Sequence, residues 1–277
     1  MIISIASGKG GTGKTTVAVN LALSIENVQL LDCDVEEPNC HVLLGVPLEE
    51  VEDVCVLIPR IDRGKCDLCG KCAEFCKHHA LAVLPSEVLL FPELCNGCGG
   101  CALVCPRGAI DEERRGIGVV YRGATNGIEF YQGLLNIGEL RAIPVIRALK
   151  KRIGNGKTTI LDASPGVGCP VVETIRDSDY CILVTEPTPF GLHDLRIAVQ
   201  VARKLKVPNG VVVNRDGIGD ERVYEWCEAQ GIPILMRIPY SKRIAHLYSE
   251  GIAPVRRMPE LRLKFEELLD AVNGDHE

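Results

Sequence analysis

The stretch that decides the fold is GKGGTGKTT, residues 8–16. It satisfies the pattern G-x-x-x-x-G-K-S/T, and it lies between an apolar predicted strand, Ile2–Ala6, and a predicted helix from Lys14 to Ile25. Glycines let the backbone fold tightly around phosphate groups, so that N–H groups and the helix N-terminus face the anion. A merely flexible glycine loop is the alternative, and the strand-loop-helix context argues against it. The sequence therefore predicts a nucleotide phosphate site at this turn.

The side chains and the N–H groups of this loop have separate expected roles. Lys14 is expected to reach the terminal phosphates of a nucleotide, and the Thr15 hydroxyl is expected to bind Mg²⁺. The predicted ATP-binding residues of the loop are Gly8, Gly10, Gly11, Thr12, Gly13, Lys14, Thr15 and Thr16.

Strand and helix patterns alternate before and after a cysteine-rich segment. Such alternation predicts an α/β fold with a doubly wound, mostly parallel sheet and helices on both faces. We expect one nucleotide-binding domain formed by residues 1–59 and 113–277, in which residues 113–156 only return the chain to the sheet. After that return, strands are predicted at Thr158–Leu161, Tyr180–Thr185, Gly210–Asn214 and Ile234–Pro239, and helices at His193–Leu205, Asp220–Gln230, Ser241–Glu250 and Glu260–Val272.

Residues 60–112 are expected to form an inserted domain, because eight of the fourteen cysteines lie there in two similar runs. The runs are CDLCGKCAEFC from residue 66 and CNGCGGCALVC from residue 95. Their spacing is that of bacterial two-cluster ferredoxins, in which the fourth cysteine of each run binds the other cluster, so a ferredoxin-like α+β domain with two [4Fe–4S] clusters is predicted. Zinc is the competing interpretation, but it rarely explains a duplicated four-cysteine pattern. The predicted ligands are Cys66, Cys69, Cys72 and Cys105 for one cluster, and Cys95, Cys98, Cys101 and Cys76 for the other.

A second lysine, Lys9, extends the phosphate motif to KGGTGKTT. With this lysine the sequence resembles the MinD/ParA/nitrogenase-iron-protein superfamily of deviant Walker ATPases. The resemblance implies a homodimer that sandwiches ATP, in which Lys9 reaches the nucleotide of the partner subunit. A second cation there would offset the charge that develops on the transferred phosphoryl group. Without the resemblance, Lys9 would be read as a solvated loop lysine.

Two acidic segments follow predicted strands, where an open α/β sheet presents its ligands. The segment LDCD, residues 31–34, resembles switch I of the same family, and the resemblance implies that Asp34, in preference to Asp32, orients the attacking water. The segment LDASPG, residues 161–166, resembles switch II. There the resemblance implies that Asp162 holds a Mg²⁺-bound water and that Gly166 senses the γ-phosphate.

The strands near the C-terminus end at candidate base-binding residues. The resemblance implies that Asn214 reads adenine, with Arg215 and Pro239 beside the base. A simple turn residue is the alternative for Asn214. ATP is favoured over GTP by the resemblance, since the sequence has no N-K-x-D motif.

Six cysteines lie outside the two runs. Cys181 and Cys227 lie in apolar strand and helix patterns, so they are expected to be small core residues. Cys169 follows Asp162 by seven residues, the spacing at which the nitrogenase iron protein carries a ligand of its bridging cluster. Because no second cysteine stands at a matching position, packing near the switch is the preferred interpretation of Cys169.

The composition excludes several classes of partner. The formal net charge is -6 and no block of five or more Lys or Arg occurs, so no nucleic-acid partner is expected. No apolar run reaches the roughly 18 residues of a membrane span, and Met1–Ala6 lacks a basic leader, so a cytoplasmic protein is expected. The apolar stripe of the last predicted helix is expected to pack in the core. Its acidic residues Glu266, Glu267 and Asp270, and the acidic tail Asp275–Glu277, disfavour anionic lipid.

Together these features predict an ATPase whose homodimer, closed by ATP binding, gates electron transfer from two [4Fe–4S] clusters to a redox partner protein. The alternative is an iron–sulfur assembly or carrier ATPase with an iron–sulfur partner. Eight thiolates in two tight runs favour the first function, because a carrier needs a labile site. The insertion lies between the two predicted switches, so communication between nucleotide and clusters is expected.

Overall fold

A long sheet forms the centre of the molecule, whose structure is a computed structural model that describes residues 1–274. The acidic tail Asp275–Glu277 therefore lies outside the described residues. The strands are β1 (Ile2–Ala6), β2 (Val28–Asp32), β3 (Glu49–Ile61), β4 (Leu81–Val83), β5 (Val88–Leu90), β6 (Ile110–Thr125), β7 (Ile128–Leu135), β8 (Thr158–Asp162), β9 (Tyr180–Thr185), β10 (Asn209–Asp216) and β11 (Ile234–Pro239). The helices are α1 (Lys14–Ser24), α2 (Cys40–Leu44), α3 (Lys71–Phe75), α4 (Gly100–Leu103), α5 (Ala142–Lys150), α6 (Cys169–Ile175), α7 (Pro189–Leu205), α8 (Arg222–Ala229), α9 (Lys242–Ser249) and α10 (Pro259–Gly274).

The main sheet has the strand order β11-β10-β9-β1-β8-β2-β7-β6-β3. The strands from β11 to β7 run parallel to one another, and β6 and β3 add an antiparallel edge. Apolar cores cover both faces, with α1 and α10 on one face and α5, α6, α7 and α8 on the other. The predicted α/β class with a mostly parallel sheet is thereby confirmed.

The carboxyl ends of the central strands meet at one edge of this sheet. Strand β1 lies between β8 and β9, and β2 lies on the far side of β8. The loop of residues 8–13 leaves β1 at this edge, and the aspartates that end β2 and β8 pair in register, Asp32 beside Asp162. Ligands of open α/β sheets bind outside such ends, so the fold gathers the predicted nucleotide residues in one place.

Residues 113–156 differ from the expected simple return path. They contain most of β6, all of β7 and the helix α5, and β7 joins the parallel sheet beside β2. Their glycines suggested a loop, but two of these glycines mark close packing. A Cβ at Gly118 would lie 2.6 Å from the Leu134 carbonyl oxygen, and a Cβ at Gly133 would lie 2.7 Å from Val145. Glycine within a strand can mark a place where other atoms approach the backbone closely. From the sequence alone, such a glycine cannot be distinguished from a glycine of a loop.

Strands β3 and β6 form a long antiparallel arm that carries the cysteine-rich segment. The last pair of the arm is Ile61 and Ile110, and Asp62 N–H donates to the Ala109 carbonyl just beyond it at 2.8 Å. Residues 62–109 then form the short helices α3 and α4 and the two-stranded sheet β4–β5. The sequence showed no strand-helix alternation here because each of these elements has only three to five residues.

The C-terminal helix α10 packs its apolar stripe into the core, as expected. Leu261, Phe265, Leu268 and Val272 are each at most 5% exposed and lie in the same cluster as residues of α1. Within residues 1–274, none of the helices is both long enough and apolar enough to cross a membrane.

Candidate functional site

The loop between β1 and α1 is held tightly at both ends. A Cβ at Gly8 would lie 2.3 Å from the Asp194 carbonyl oxygen, and Gly13 precedes the helix with φ of 93°, a conformation that favours glycine. Lys14 begins the helix and is only 6% exposed. The Thr12 hydroxyl is buried and has no hydrogen-bond partner within the described residues. The loop thus has the compact shape expected of a phosphate-binding turn.

The two predicted Mg²⁺-binding residues, Thr15 and Asp162, are in direct contact. The Thr15 hydroxyl donates to Asp162 Oδ2 at 2.6 Å. Asp162 is fully buried, and its Oδ1 atom has no hydrogen-bond partner in residues 1–274. Burial raises the pKa of this carboxyl group, while the Thr15 hydrogen bond and the nearby Lys14 lower it. A hydroxyl oxygen beside a carboxylate with one free oxygen suits a Mg²⁺ ion that keeps several waters.

Asp32 and Asp34 have different environments. Asp32 is fully buried, and its carboxylate accepts backbone N–H bonds from Asp34, Asn39 and Cys40, so it shapes the turn after β2. Asp34 is half-buried and lines an open groove with Ser164. Burial, and then the charge of Asp162, raises the pKa of Asp34 to about 6. Of the two carboxylates, Asp34 is the one that solvent can reach.

Cys40 lies at this site, although no sequence pattern placed it there. Its Sγ atom lies 3.4 Å from Asp162 Oδ2, and its backbone N–H donates to Asp32 at 2.9 Å. Asp32, Cys40 and Asp162 each have one atom that could bind a metal ion, and these three atoms lie within 4.8 Å of one another. Burial, and then the two carboxylates, raises the pKa of the thiol, so it stays protonated and donates to Asp162. No sequence signal marks Cys40, because it simply begins the short helix α2.

Lys9 is bound within its own chain by Glu186, a residue that the sequence analysis missed. Lys9 Nζ lies 3.4 Å from Glu186 Oε2, and Arg215 Nη1 lies 2.6 Å from Glu186 Oε1. The Lys9 side chain is 34% exposed, whereas that of Glu186 is 8% exposed. Glu186 directly follows β9. An acidic residue directly after a buried strand, where an open α/β sheet presents its ligands, is the sequence signal that could have identified it.

The predicted adenine-binding residues lie at the ends of β10 and β11. Asn214 Nδ2 donates to the Thr12 carbonyl oxygen at 2.8 Å, so in this conformation the amide braces the phosphate loop. Pro239 is exposed and pairs with Asp216 of β10. Adenine contacts of Asn214, Arg215 and Pro239 stay a prediction. Gly166 donates its N–H to the Ser7 carbonyl at 3.1 Å, which ties the predicted switch II to the start of the loop.

The eight cysteines of the two runs line two separate concave sites. The site farther along the arm, here called the distal site, also contains Ile61 and Ile110, the last pair of the arm. The other, here called the proximal site, contains Leu57 and Pro59 from earlier in β3. The distal site is lined by Cys66, Cys69, Cys72 and Cys105, and the proximal site by Cys76, Cys95, Cys98 and Cys101.

Sulfur spacing and hydrogen bonds describe these sites further. Outside the group at Asp162, no three potential metal-ligand atoms in residues 1–274 lie within 4.8 Å of one another. Tetrahedral zinc, with Zn–S bonds of about 2.3 Å, needs sulfurs roughly 3.8 Å apart. Backbone N–H groups donate to sulfur at Cys76, Cys95 and Cys105, over 3.3–3.4 Å. Each site therefore offers four thiols, and backbone N–H groups are directed at three of the eight sulfurs.

Three of the six cysteines outside the runs carry sequence-based interpretations that their exposure tests. Cys181 and Cys227 are 0% exposed, which confirms their prediction as small core residues. Cys169 is exposed at the first residue of α6, so core packing does not describe it. A bridging role for Cys169 stays untested by this geometry.

Comparison with known proteins agrees with the fold. Residues 3–255 match the CbiA family, described as the CobQ/CobB/MinD/ParA nucleotide binding domain. An uncharacterized protein of Methanocaldococcus jannaschii is 33% identical over 258 residues, 91% of this chain and 90% of that protein. The iron-sulfur cluster carrier protein of Pyrococcus abyssi is 25% identical over 274 residues, 90% of this chain and 77% of that protein.

Among solved structures, the septum site-determining protein MinD of Pyrococcus horikoshii, complexed with Mg-ADP, is similar in fold. Its TM-score is 0.60 at 21% sequence identity, and the match covers 98% of this chain and 95% of that chain. The nucleotide-domain match extends over most of the sequence. The chain therefore belongs to the CobQ/CobB/MinD/ParA nucleotide binding domain family.

Proposed function

We propose that this protein is an ATPase that couples the nucleotide state of a homodimer to electron transfer through two [4Fe–4S] clusters. The observation that carries the proposal is the pair of four-cysteine sites on the same chain as a phosphate-binding loop. The partner is a redox protein that exchanges electrons with the clusters. The domain division that fits this function is 1–59 with 113–277 for ATP, and 60–112 for the clusters.

The grouping of the cysteines supports iron–sulfur clusters of the ferredoxin type. Each site combines three cysteines of one run with the fourth cysteine of the other run, which is the crossed pattern of two-cluster ferredoxins. Among the described residues no three of these sulfurs lie as close together as tetrahedral zinc needs, which disfavours zinc. N–H groups directed at the sulfurs of Cys76 and Cys105 are a means of tuning cluster potential. When bound, such clusters supply one-electron transfer.

The nucleotide site supports ATP hydrolysis with residues in separate roles. Lys14 and the loop N–H groups bind and orient the phosphates, and Thr15 with Asp162 holds Mg²⁺, Asp162 through a water. Asp34, the carboxylate that solvent can reach, orients the attacking water. Lys9 reaches the nucleotide of the partner subunit when ATP closes the homodimer. In the conformation of the single chain described above, Lys9 is bound to Glu186 instead.

Iron–sulfur cluster transfer is the second candidate function. The observation in its favour is the 25% identity to an iron-sulfur cluster carrier protein over 90% of this chain. A carrier must release its cluster, whereas eight thiols in two crossed sites favour permanent clusters. Transfer of a cluster to an apo-acceptor at a rate that depends on ATP would support the carrier function directly.

Asp34 gives a pH dependence with a definite sign. Its pKa is raised to about 6, so the carboxylate form is present above this pH and is lost as the pH falls. We expect kcat/KM for ATP hydrolysis, which reports the free enzyme, to fall about tenfold per pH unit below this pKa. The titration of ATP itself is common to all variants, so the low residual activity of Asp34→Asn should keep the inflection due to ATP and lack the inflection due to Asp34. An identical pH profile for the two proteins would remove Asp34 from this role.

Redox titration with and without nucleotide tests the proposed coupling. We expect the midpoint potential of at least one cluster to change when Mg²⁺ and a non-hydrolysable ATP analogue are added. The matched control is Lys14→Ala, which should bind the analogue weakly and show no change. Unchanged potentials and unchanged electron-transfer rates in wild-type protein, with the analogue shown to be bound, would contradict the coupling and favour the carrier function.

A further inference from the structure

The loop after β7, residues 136–141, begins beside the predicted switch I. Leu135 N–H, at the end of β7, donates to the Val35 carbonyl oxygen at 2.8 Å, and Val35 directly follows Asp34. Asn136 then fixes the start of the loop, because its N–H donates to the Ile117 carbonyl of β6 at 2.9 Å. The residue immediately before the loop is therefore bonded to the backbone next to Asp34, the carboxylate proposed to orient water.

The other end of this loop is bonded to the proximal cysteine site. Arg141 Nη1 donates to the backbone carbonyl of Cys95, one of the four cysteines of that site. Arg115 of β6 supports the same stretch, since its Nη1 donates to the Pro92 carbonyl at 3.2 Å. The loop thus connects switch I and a cysteine of the proximal site through a few bonded residues.

A buried ion pair keeps Arg141 in a fixed orientation. Arg141 binds Glu139 through two parallel bonds, Nε to Oε1 and Nη2 to Oε2, both at 2.7 Å. The side chains are 10% and 3% exposed, and Arg115 Nη1 adds a third contact to Glu139 at 3.2 Å. A buried, two-bond arginine–carboxylate pair has little freedom to absorb a displacement, so a shift of the loop carries Arg141 with it.

The core beneath the loop is close-packed. Val35 is 0% exposed, and a Cβ at Gly133 of β7 would lie 2.8 Å from it and 2.7 Å from Val145 of α5. Arg141 directly precedes α5. Close-packed interiors transmit small shifts instead of deforming smoothly, so a movement of Val35 reaches β7 and the start of α5 together.

In the part of the chain that the structure describes, no hydrogen bond joins the 136–141 loop to the distal site. Its arginine, Arg107, pairs with Asp67 at 2.9 Å inside the cysteine-rich segment itself. Within residues 1–274, none of the hydrogen bonds of the 136–141 loop reaches the four distal cysteines. The contacts of the loop therefore distinguish the two sites.

We propose that Arg141 is a positioning residue through which switch I acts on the proximal cluster site alone. The proposal rests on the function proposed above and adds which cluster the nucleotide affects and through which residue. Nucleotide binding shifts Asp34 and Val35, the 136–141 loop follows, and the Arg141 guanidinium moves relative to Cys95. A cation near a cluster favours its reduced form, so this movement changes the potential of the proximal cluster.

EPR-monitored redox titration of the holoprotein, with and without Mg²⁺ and a non-hydrolysable ATP analogue, tests the proposal. The two signals are assigned with Cys69→Ser for the distal site and Cys98→Ser for the proximal site. In wild-type protein we expect the nucleotide-dependent shift in the proximal signal only. Arg141→Gln should abolish this shift and lower the proximal potential in the absence of nucleotide.

Two further variants separate positioning from folding. Arg141→Lys keeps the charge but not the two-bond pair, so it should keep most of the nucleotide-free potential while losing most of the shift. Arg107→Gln is the matched control at the distal site, and it should leave the proximal shift unchanged. A full proximal shift in both Arg141 variants, or equal shifts of both signals in wild-type protein, would overturn the role of Arg141. If neither wild-type signal shifts although the analogue is bound, the proposed function itself fails.

Discussion

Replacing Lys9 by alanine is expected to lower the rate of ATP hydrolysis by about 10²–10³-fold while ATP binding is largely retained. Lys14 is buried at the start of α1, where we expect it to bind the phosphates of the nucleotide held by its own chain. The side chain of Lys9 is one-third exposed and pairs with Glu186. Because it is partly exposed, it can leave Glu186 and extend towards a partner subunit that approaches. A cation that meets only the developing charge of the transferred phosphoryl group contributes to kcat and not to binding. The exposed Lys264→Ala is the matched control, and it should hydrolyse ATP at the wild-type rate.

A mixing experiment distinguishes action on the partner subunit from action within one chain. Lys9→Ala and Asp34→Asn should each be nearly inactive alone. In a mixed dimer, the Lys9→Ala subunit keeps its own Asp34 and receives the lysine of the Asp34→Asn subunit, so one active site is complete. Activity should therefore return when the two variants are mixed. A mixture no more active than the average of its components would show that Lys9 does not act across a dimer.

The second large effect concerns the crossed arrangement of the cysteines. Cys76 is the fourth cysteine of the first run, but it lines the proximal site with three cysteines of the second run. We therefore expect Cys76→Ala to remove the same EPR signal as Cys98→Ala, with iron content falling to about half. Cys105→Ala should instead remove the signal that Cys69→Ala removes. Loss of the distal signal in Cys76→Ala would contradict the crossed arrangement.

Much of the fold followed from local patterns in the sequence. The strands Ile2–Ala6, Tyr180–Thr185 and Ile234–Pro239 have the predicted ends, because each is a short apolar run bounded by turn residues. The sheet was predictable because the phosphate motif lies between a predicted strand and a predicted helix, and strand and helix patterns alternate after it. Strands β6 and β7 were not predicted, because the glycines of residues 113–156 serve close packing that the sequence does not reveal.

The candidate site was predictable where residue types and spacing carry the chemistry. Thr15 and Asp162 are in contact with Lys14 nearby, and the cysteines line two sites in the grouping that their spacing predicts. Glu186, Cys40 and Arg141 were missed, because each makes its contact with residues distant in sequence, and only Glu186, directly after β9, had a local signal. Arg141 meets Cys95 across 46 positions, and no periodicity or spacing rule connects them. Such contacts emerge only from the folded chain.

Iron and acid-labile sulfide analysis, with EPR of the dithionite-reduced protein, tests the central claim most directly. Anaerobically purified protein should contain about eight irons and about eight sulfides per chain, and it should show two reduced [4Fe–4S] centres. Stoichiometric zinc without an EPR signal would contradict the claim that this ATPase-family chain carries two iron–sulfur clusters.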